Sequence, residues 1–142
     1  MILFSYFKQA NFSIVERNYI SKKIIYGWDN NNSEAYNILD LTFKFLTNNG
    51  MSQNNFEIYD FDKKNLPIKK FDMIISLYSL DYHYDFKVYE DYFRKISTKN
   101  TKFIFDTIRA DYFYKKFENI KIIATHHQTV HRSKRLICIG FK

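Results

Sequence analysis

The densest gathering of side chains able to do chemistry lies in "FDMIISLYSLDYHYDF", residues 71–86, where an apolar run of strand-forming type passes directly into Asp81, Tyr82, His83, Tyr84 and Asp85. His83 is suited to proton transfer, since an unperturbed imidazole titrates near neutrality. A solvated loop imidazole is the plain alternative. Three further acids close strand-like segments: Glu16 ends "FSIVE", Asp60 ends "FEIYD" and is followed by Phe61, and Asp106 lies near the end of "TKFIFDT". A carboxylate offers two acceptor oxygens, enough for both hydroxyls of a ribose, which suits Glu16. Asp60 can accept from an adenine amino group while the Phe61 ring lies against the base. Either acid alone reads first as a solvated turn residue; together, at the right strand ends, they point to a nucleoside.

The elements that must position these groups are short and rich in Ile and Phe. Segments 12–16, 56–60, 71–80, 101–107, 120–125 and 134–141 read as strands, several of them apolar enough for burial on both faces. Helical spacing appears between them. Ser33 is a candidate cap for a helix with Ala35, Ile38, Leu39, Thr42, Phe45 and Leu46 on one face, ending near Gly50. Val88, Tyr89, Tyr92, Phe93 and Ile96 mark a second helix over 87–97, and Tyr112, Phe113, Lys116 and Phe117 a shorter third. Strand alternating with helix predicts a largely parallel sheet covered on both sides, whose carboxyl edge collects ligands. "HHQTVHRS" is too short for a helical crossover, so the last two strands are expected to pair antiparallel. "KQAN" is likewise too short to join "MILFSY" to "FSIVE" as parallel neighbours, and a helix is expected at the N-terminus.

From "FSIVERNYISKK" onward this succession resembles the class I S-adenosylmethionine-dependent methyltransferases: an acid after the second strand, another after the third, "FDMIIS" as the fourth, "TKFIFD" as the fifth, and a terminal antiparallel pair. The resemblance implies an α/β fold, a Rossmann-like three-layer sandwich with a mostly parallel sheet. It implies S-adenosylmethionine as cofactor, held by Glu16, Asp60, Phe61 and Ser76. It also implies methyl transfer to an oxygen or nitrogen nucleophile, with Asp81 or His83 as general base and Tyr82, Tyr84 and Asp106 around the acceptor. The family's usual first strand and Gly-rich loop have no counterpart: eleven residues precede "FSIVE", and Gly27, Gly50 and Gly140 lie elsewhere. An N-terminally truncated chain with weak or lost cofactor affinity is the corresponding expectation. A non-catalytic remnant acting through interactions is the alternative.

Composition bounds the rest. The 142 residues suit a single domain, 46% hydrophobic and 20% aromatic, and no apolar run approaches the roughly 18 residues of a membrane span. No signal-peptide pattern opens the chain, and Cys138 is its only cysteine, so a cytoplasmic protein without an internal disulfide is expected. The net charge is +7, and no acid follows Glu118 whereas Lys121, Arg132, Lys134, Arg135 and Lys142 do. A basic nucleic-acid-binding module is therefore a further alternative, although abundant Lys, Asn, Ile, Phe and Tyr also follow from AT-rich coding. His127 and His131 at i, i+4 lack a third ligand, so no metal is expected. Trp28, between Gly27 and Asp29, reads as a loop anchor or substrate wall. A missing central strand leaves an edge open to self-association.

Overall fold

The computed structural model describes residues 2–20, 36–63, 65–81, 84–126 and 132–142. Up to Pro67 the described residues belong to one compact unit, and from Ile68 onward to a second.

In the first unit, helix α1 (Ile2–Tyr6) precedes strand β1 (Phe12–Glu16) and the short strand β2 (Tyr19–Ile20). Strand β3 (Tyr36–Asn37), helix α2 (Leu39–Asn48) and strand β4 (Phe56–Asp60) follow. β1 and β4 pair in parallel from Phe12↔Phe56 to Glu16↔Asp60, while β2 and β3 form a separate antiparallel pair. Leu46, Met51 and Phe56 make a small core with Phe4, Phe12, Ile14 and Ile58 against it. α2 begins later than helical spacing from Ser33 predicts. Asn37 is held in the β2–β3 pair and Ile38 is extended, so the first helical N–H, that of Leu39, donates to the Asn18 side chain at 2.9 Å. Ser33 and Ala35 lie outside the described residues. Gly50 closes α2 at a φ of 84°, where a side chain would be strained, and the Met51 N–H returns to the Leu46 carbonyl at 3.1 Å.

In the second unit, β5 (Met73–Ser76) is followed by a single 3₁₀ turn (Phe86–Tyr89) running into helix α3 (Glu90–Ile96). β6 (Lys102–Thr107), the short helix α4 (Ala110–Phe113), β7 (Phe117–Thr125) and β8 (Lys134–Phe141) complete it. The sheet order is β5-β6-β8-β7; β5–β6 is parallel, and β8 pairs antiparallel with both β6 and β7. The parallel neighbours and the terminal antiparallel pair are as the connection lengths predict. Helical Phe86, Phe93, Ile96 and Phe113 pack with strand residues Phe103, Phe105, Phe117, Leu136 and Cys138 in one buried cluster. Burying each Phe contributes about 1.5–3 kcal/mol. α3 carries Glu90 and Asp91 in its first turn and Arg94 and Lys95 in its last, matching its dipole. The Lys70 ammonium then donates to the Lys95 and Ser97 carbonyls at 2.8 and 3.0 Å.

The Rossmann-like three-layer sandwich is not what these strands build. They divide among two two-stranded sheets and one four-stranded sheet in which antiparallel pairs outnumber the parallel one. The physical reason lies in the connections. A one-turn helix leads from β6 to β7, and β8 pairs antiparallel with β7 and also with β6, which ends the parallel run. Phe117, grouped with a helix by its spacing, opens β7 instead. The strand predicted over 71–80 also stops early, at Ser76. Tyr78 takes a φ of 57°, which breaks an extended chain, and its N–H donates to the Asp106 carboxylate at 3.2 Å rather than to a neighbouring strand.

Candidate functional site

Glu16 and Asp60 stand directly opposite each other at the carboxyl ends of β1 and β4. Glu16 is exposed, and its Oε1 accepts the Arg17 N–H at 3.0 Å. The Arg17 guanidinium grips Asp62, with Nη2 to Oδ1 at 2.8 Å and Nε 3.1 Å from both oxygens. Asp60 is mostly buried; its Oδ1 accepts the Asp62 N–H at 3.1 Å and Lys63 lies 3.7 Å from its Oδ2. Phe61, half-buried, begins the 3₁₀ turn that follows. The nucleoside-type residues named from the sequence are thus brought together on one strand edge.

The acids of the second unit have a different setting. Asp81, fully buried at a φ of 60°, accepts from Thr107 Oγ1 at 2.6 Å and from Arg109, whose Nε lies 3.0 and 3.2 Å from its two oxygens and whose Nη2 also contacts it. The same Nη2 donates to Asp85 at 2.6 Å, and the guanidinium lies 4.5 Å over the Tyr112 ring. Asp106, also fully buried, takes a two-pronged contact from Arg135, Nε to Oδ1 at 3.0 Å and Nη2 to Oδ2 at 3.1 Å, besides the Tyr78 N–H. His126 Nε2 lies 3.8 Å from Asp106 Oδ1, buried and without a hydrogen-bond partner. The two carboxylates tie Tyr78 and Asp81 to Thr107 and Arg109 at the end of β6 and to Arg135 at the start of β8.

These contacts shift proton affinities in the direction of permanent charge. Hydrogen bonds from Arg109 to Asp81, against some desolvation, and further contacts with Asp85 raise the Arg109 pKa above its already high ordinary value. Asp106 does the same to Arg135. The Lys87 backbone N–H, with Arg109 adding to it against partial burial, lowers Asp85. A general base needs a free oxygen within reach of the proton it removes. The oxygens of Asp81 face protein donors instead.

Ser76 closes β5 and its Oγ accepts the Leu80 N–H at 3.0 Å, which shapes the bend. Tyr84 is half-buried; its N–H donates to the Ser79 carbonyl, its carbonyl accepts the Asp81 N–H at 2.6 Å, and its ring meets Tyr89 edge-on at 6.5 Å. Tyr82, His83, Trp28, His127 and His131 lie outside the described residues. Among the described residues no three His, Cys, Asp or Glu side chains converge as a metal site would require, and no helix is long and apolar enough to cross a membrane. Arg109, Thr107, Arg135 and His126 are the site residues that sequence reasoning missed. Thr107 and Arg109 are hinted at by the strand-end "DTIR", where polar groups crowd behind an apolar run, whereas Arg135 stood out only as one of the basic residues after Glu118 and His126 not at all.

No family model matches the chain, and no curated protein or solved structure matches it either.

Proposed function

We propose that this protein binds a nucleoside cofactor of the S-adenosylmethionine type, holding the adenosine end on the β1 and β4 strand ends. The observation that carries this is the in-register placement of Glu16 and Asp60 at the carboxyl ends of two parallel strands, with Phe61 next in the chain. Parallel strand ends direct their following loops to one edge, where ligands of α/β proteins collect. Glu16 receives the ribose hydroxyls, Asp60 the adenine amino group, and Phe61 the face of the base. Methyl transfer rests on the resemblance of the strand succession alone, and the acceptor class is an oxygen or nitrogen nucleophile.

A second reading, an interaction protein without catalysis, is favoured by the arginine-saturated state of Asp81 and Asp106. Calorimetry with S-adenosylhomocysteine separates the two. Binding that weakens at least tenfold in both Glu16→Ala and Asp60→Asn supports the cofactor reading; the Asn keeps an acceptor for the Asp62 N–H, so the turn survives. Absence of binding, or binding indifferent to both substitutions, refutes it.

A further inference from the structure

We propose that helix α2 carries a second apolar stripe, and that this stripe pairs two copies of the chain, antiparallel about a two-fold axis. One side of α2 closes the small core of the first unit: Leu46 is buried, and the Phe43 ring lies 5.6 Å from that of Phe56. Leu41 and Phe45, one turn apart, lie along a different side, and each is 57% exposed. Ile38, whose carbonyl accepts the Leu41 and Thr42 N–H groups at 2.9 and 3.2 Å, is exposed just before the helix begins. The helix is thus apolar on two sides, and the core takes up only one of them. Large apolar side chains scattered singly over a surface need no explanation; a row of them along one helix marks a place for a partner.

The charges beside the stripe choose a second copy as that partner. Asp40 and Lys44, both exposed, form an i,i+4 ion pair at 2.6 Å on the polar side of α2. In an antiparallel pair with its two-fold axis level with Thr42, Asp40 stands level with the partner's Lys44, and Lys44 with the partner's Asp40. The same register brings Leu41 within two residues' rise, about 3 Å along the axis, of the partner's Leu41, and Phe45 within one, about 1.5 Å, of the partner's Ile38. A single axis therefore suits both the apolar row and the charges, as a contact between identical surfaces requires. A lipid surface would call for a cation-rich polar side, and α2 has Lys44 as its one cation, matched by Asp40. Three side chains from each copy fall well short of the roughly 800 Å² per partner of a standard interface, so the pair is a weak one that dissociates on dilution.

The test is sedimentation of the full chain over a concentration series at low salt, where the parent should pass from monomer to dimer. Leu41→Gln and Phe45→Gln should each raise the dissociation constant roughly tenfold or more, while urea unfolding of the dilute monomer stays close to that of the parent. Asp40→Lys and Lys44→Asp should each weaken association, since either change sets like charges against each other across the axis. An equimolar mixture of these two variants should associate roughly threefold or more tightly than either alone, although neither chain keeps its internal ion pair. A chain that stays monomeric, a dimer indifferent to Leu41 and Phe45, or a mixture no tighter than its components would overturn the proposal. Binding of a monomeric chain to phosphatidylcholine vesicles, lost in Phe45→Gln, would overturn it in favour of a lipid surface.

Discussion

The carboxylates at the strand ends of the two units differ in what meets them. Glu16 stands exposed at the end of β1, touched by a backbone N–H, whereas Asp106, near the end of β6, has no exposure and is gripped by a guanidinium. In sequence both are an acid closing an apolar run. The difference arises from partners: Arg17, beside Glu16, turns to Asp62, while Arg135 and Arg109 reach back 29 and 28 residues to Asp106 and Asp81. An acid left open at a strand end is available for a ligand; an acid matched by arginine is a fastener. The comparison holds only if the matched acids govern stability and the open one does not.

The largest effect should follow from breaking a fastener. Asp106→Ala leaves the Arg135 guanidinium partly buried without its carboxylate and frees the Tyr78 N–H, and should cost roughly 3–5 kcal/mol in urea unfolding. Cys138 offers a second readout. Burial pushes its thiol up to about 12, so alkylation near neutral pH should report opening of this core and accelerate in the same variant. A loss under about 1 kcal/mol would be typical of an exposed pair and would erase the contrast between the units.

Thr107→Val should cost less, about 1–3 kcal/mol. The fully buried hydroxyl donates to Asp81 at 2.6 Å and accepts the Arg109 N–H at 2.9 Å, so its loss leaves both groups short of a partner while the shape is kept. Unfolding unchanged by this near-isosteric swap would mean that Arg109 alone holds Asp81.

Smaller still is the pH dependence of the charge matches nearer the surface. Burial alone would raise Glu90, but hydrogen bonds from Lys116 and Tyr112 outweigh it and hold the carboxyl below its ordinary 4.5. Burial would lower Lys116, and its bond to Glu90 outweighs that and raises it above 10.5. A lowered acid contributes stability above its unfolded value that is lost as pH falls through the folded one. A raised base contributes stability below its unfolded value that is lost as pH climbs through the folded one. The pair should therefore hold between those limits and fade below 4.5 and above 10.5, by about 1 kcal/mol or less at either end. Urea midpoints of Glu90→Gln across pH should be flatter at both ends than those of the parent chain; identical profiles would remove this pair from the account.

Much of the architecture was legible because it follows from local pattern and connection length. Apolar runs marked 12–16, 56–60 and 134–141 as strands with the bounds they have, and the short link "KQAN" predicted the helix that residues 2–6 form. The parallel placing of β5 beside β6 followed from the helix between them. Assembly into one sandwich did not follow, because strand order among sheets depends on pairings far apart in sequence. Nor did the break at Tyr78, since a left-handed tyrosine has no sequence signature and arises here beside a carboxylate 28 residues away. The start of α2 was missed for a similar reason: Asn37 pairs with Tyr19, and pairing overrides helical spacing. Charge partners were the least legible of all, because any arginine can match any acid until the chain has folded.

The smallest expected effect on stability belongs to Glu16→Ala, and it is the one that tests the open side of the comparison. The side chain is exposed, it accepts from the N–H of the residue beside it, and Arg17 is held by Asp62 through two nitrogens, so nothing buried loses a partner when the carboxylate goes. Substitutions of that kind usually fall within about 0.5 kcal/mol of the parent. The β1–β4 pairing is backbone-made and should persist. Urea unfolding of Glu16→Ala should therefore overlay that of the parent chain, while its affinity for S-adenosylhomocysteine falls. Should the variant instead unfold as readily as Asp106→Ala, Glu16 would be a fastener as well, and the β1 edge would lose its standing as the open site.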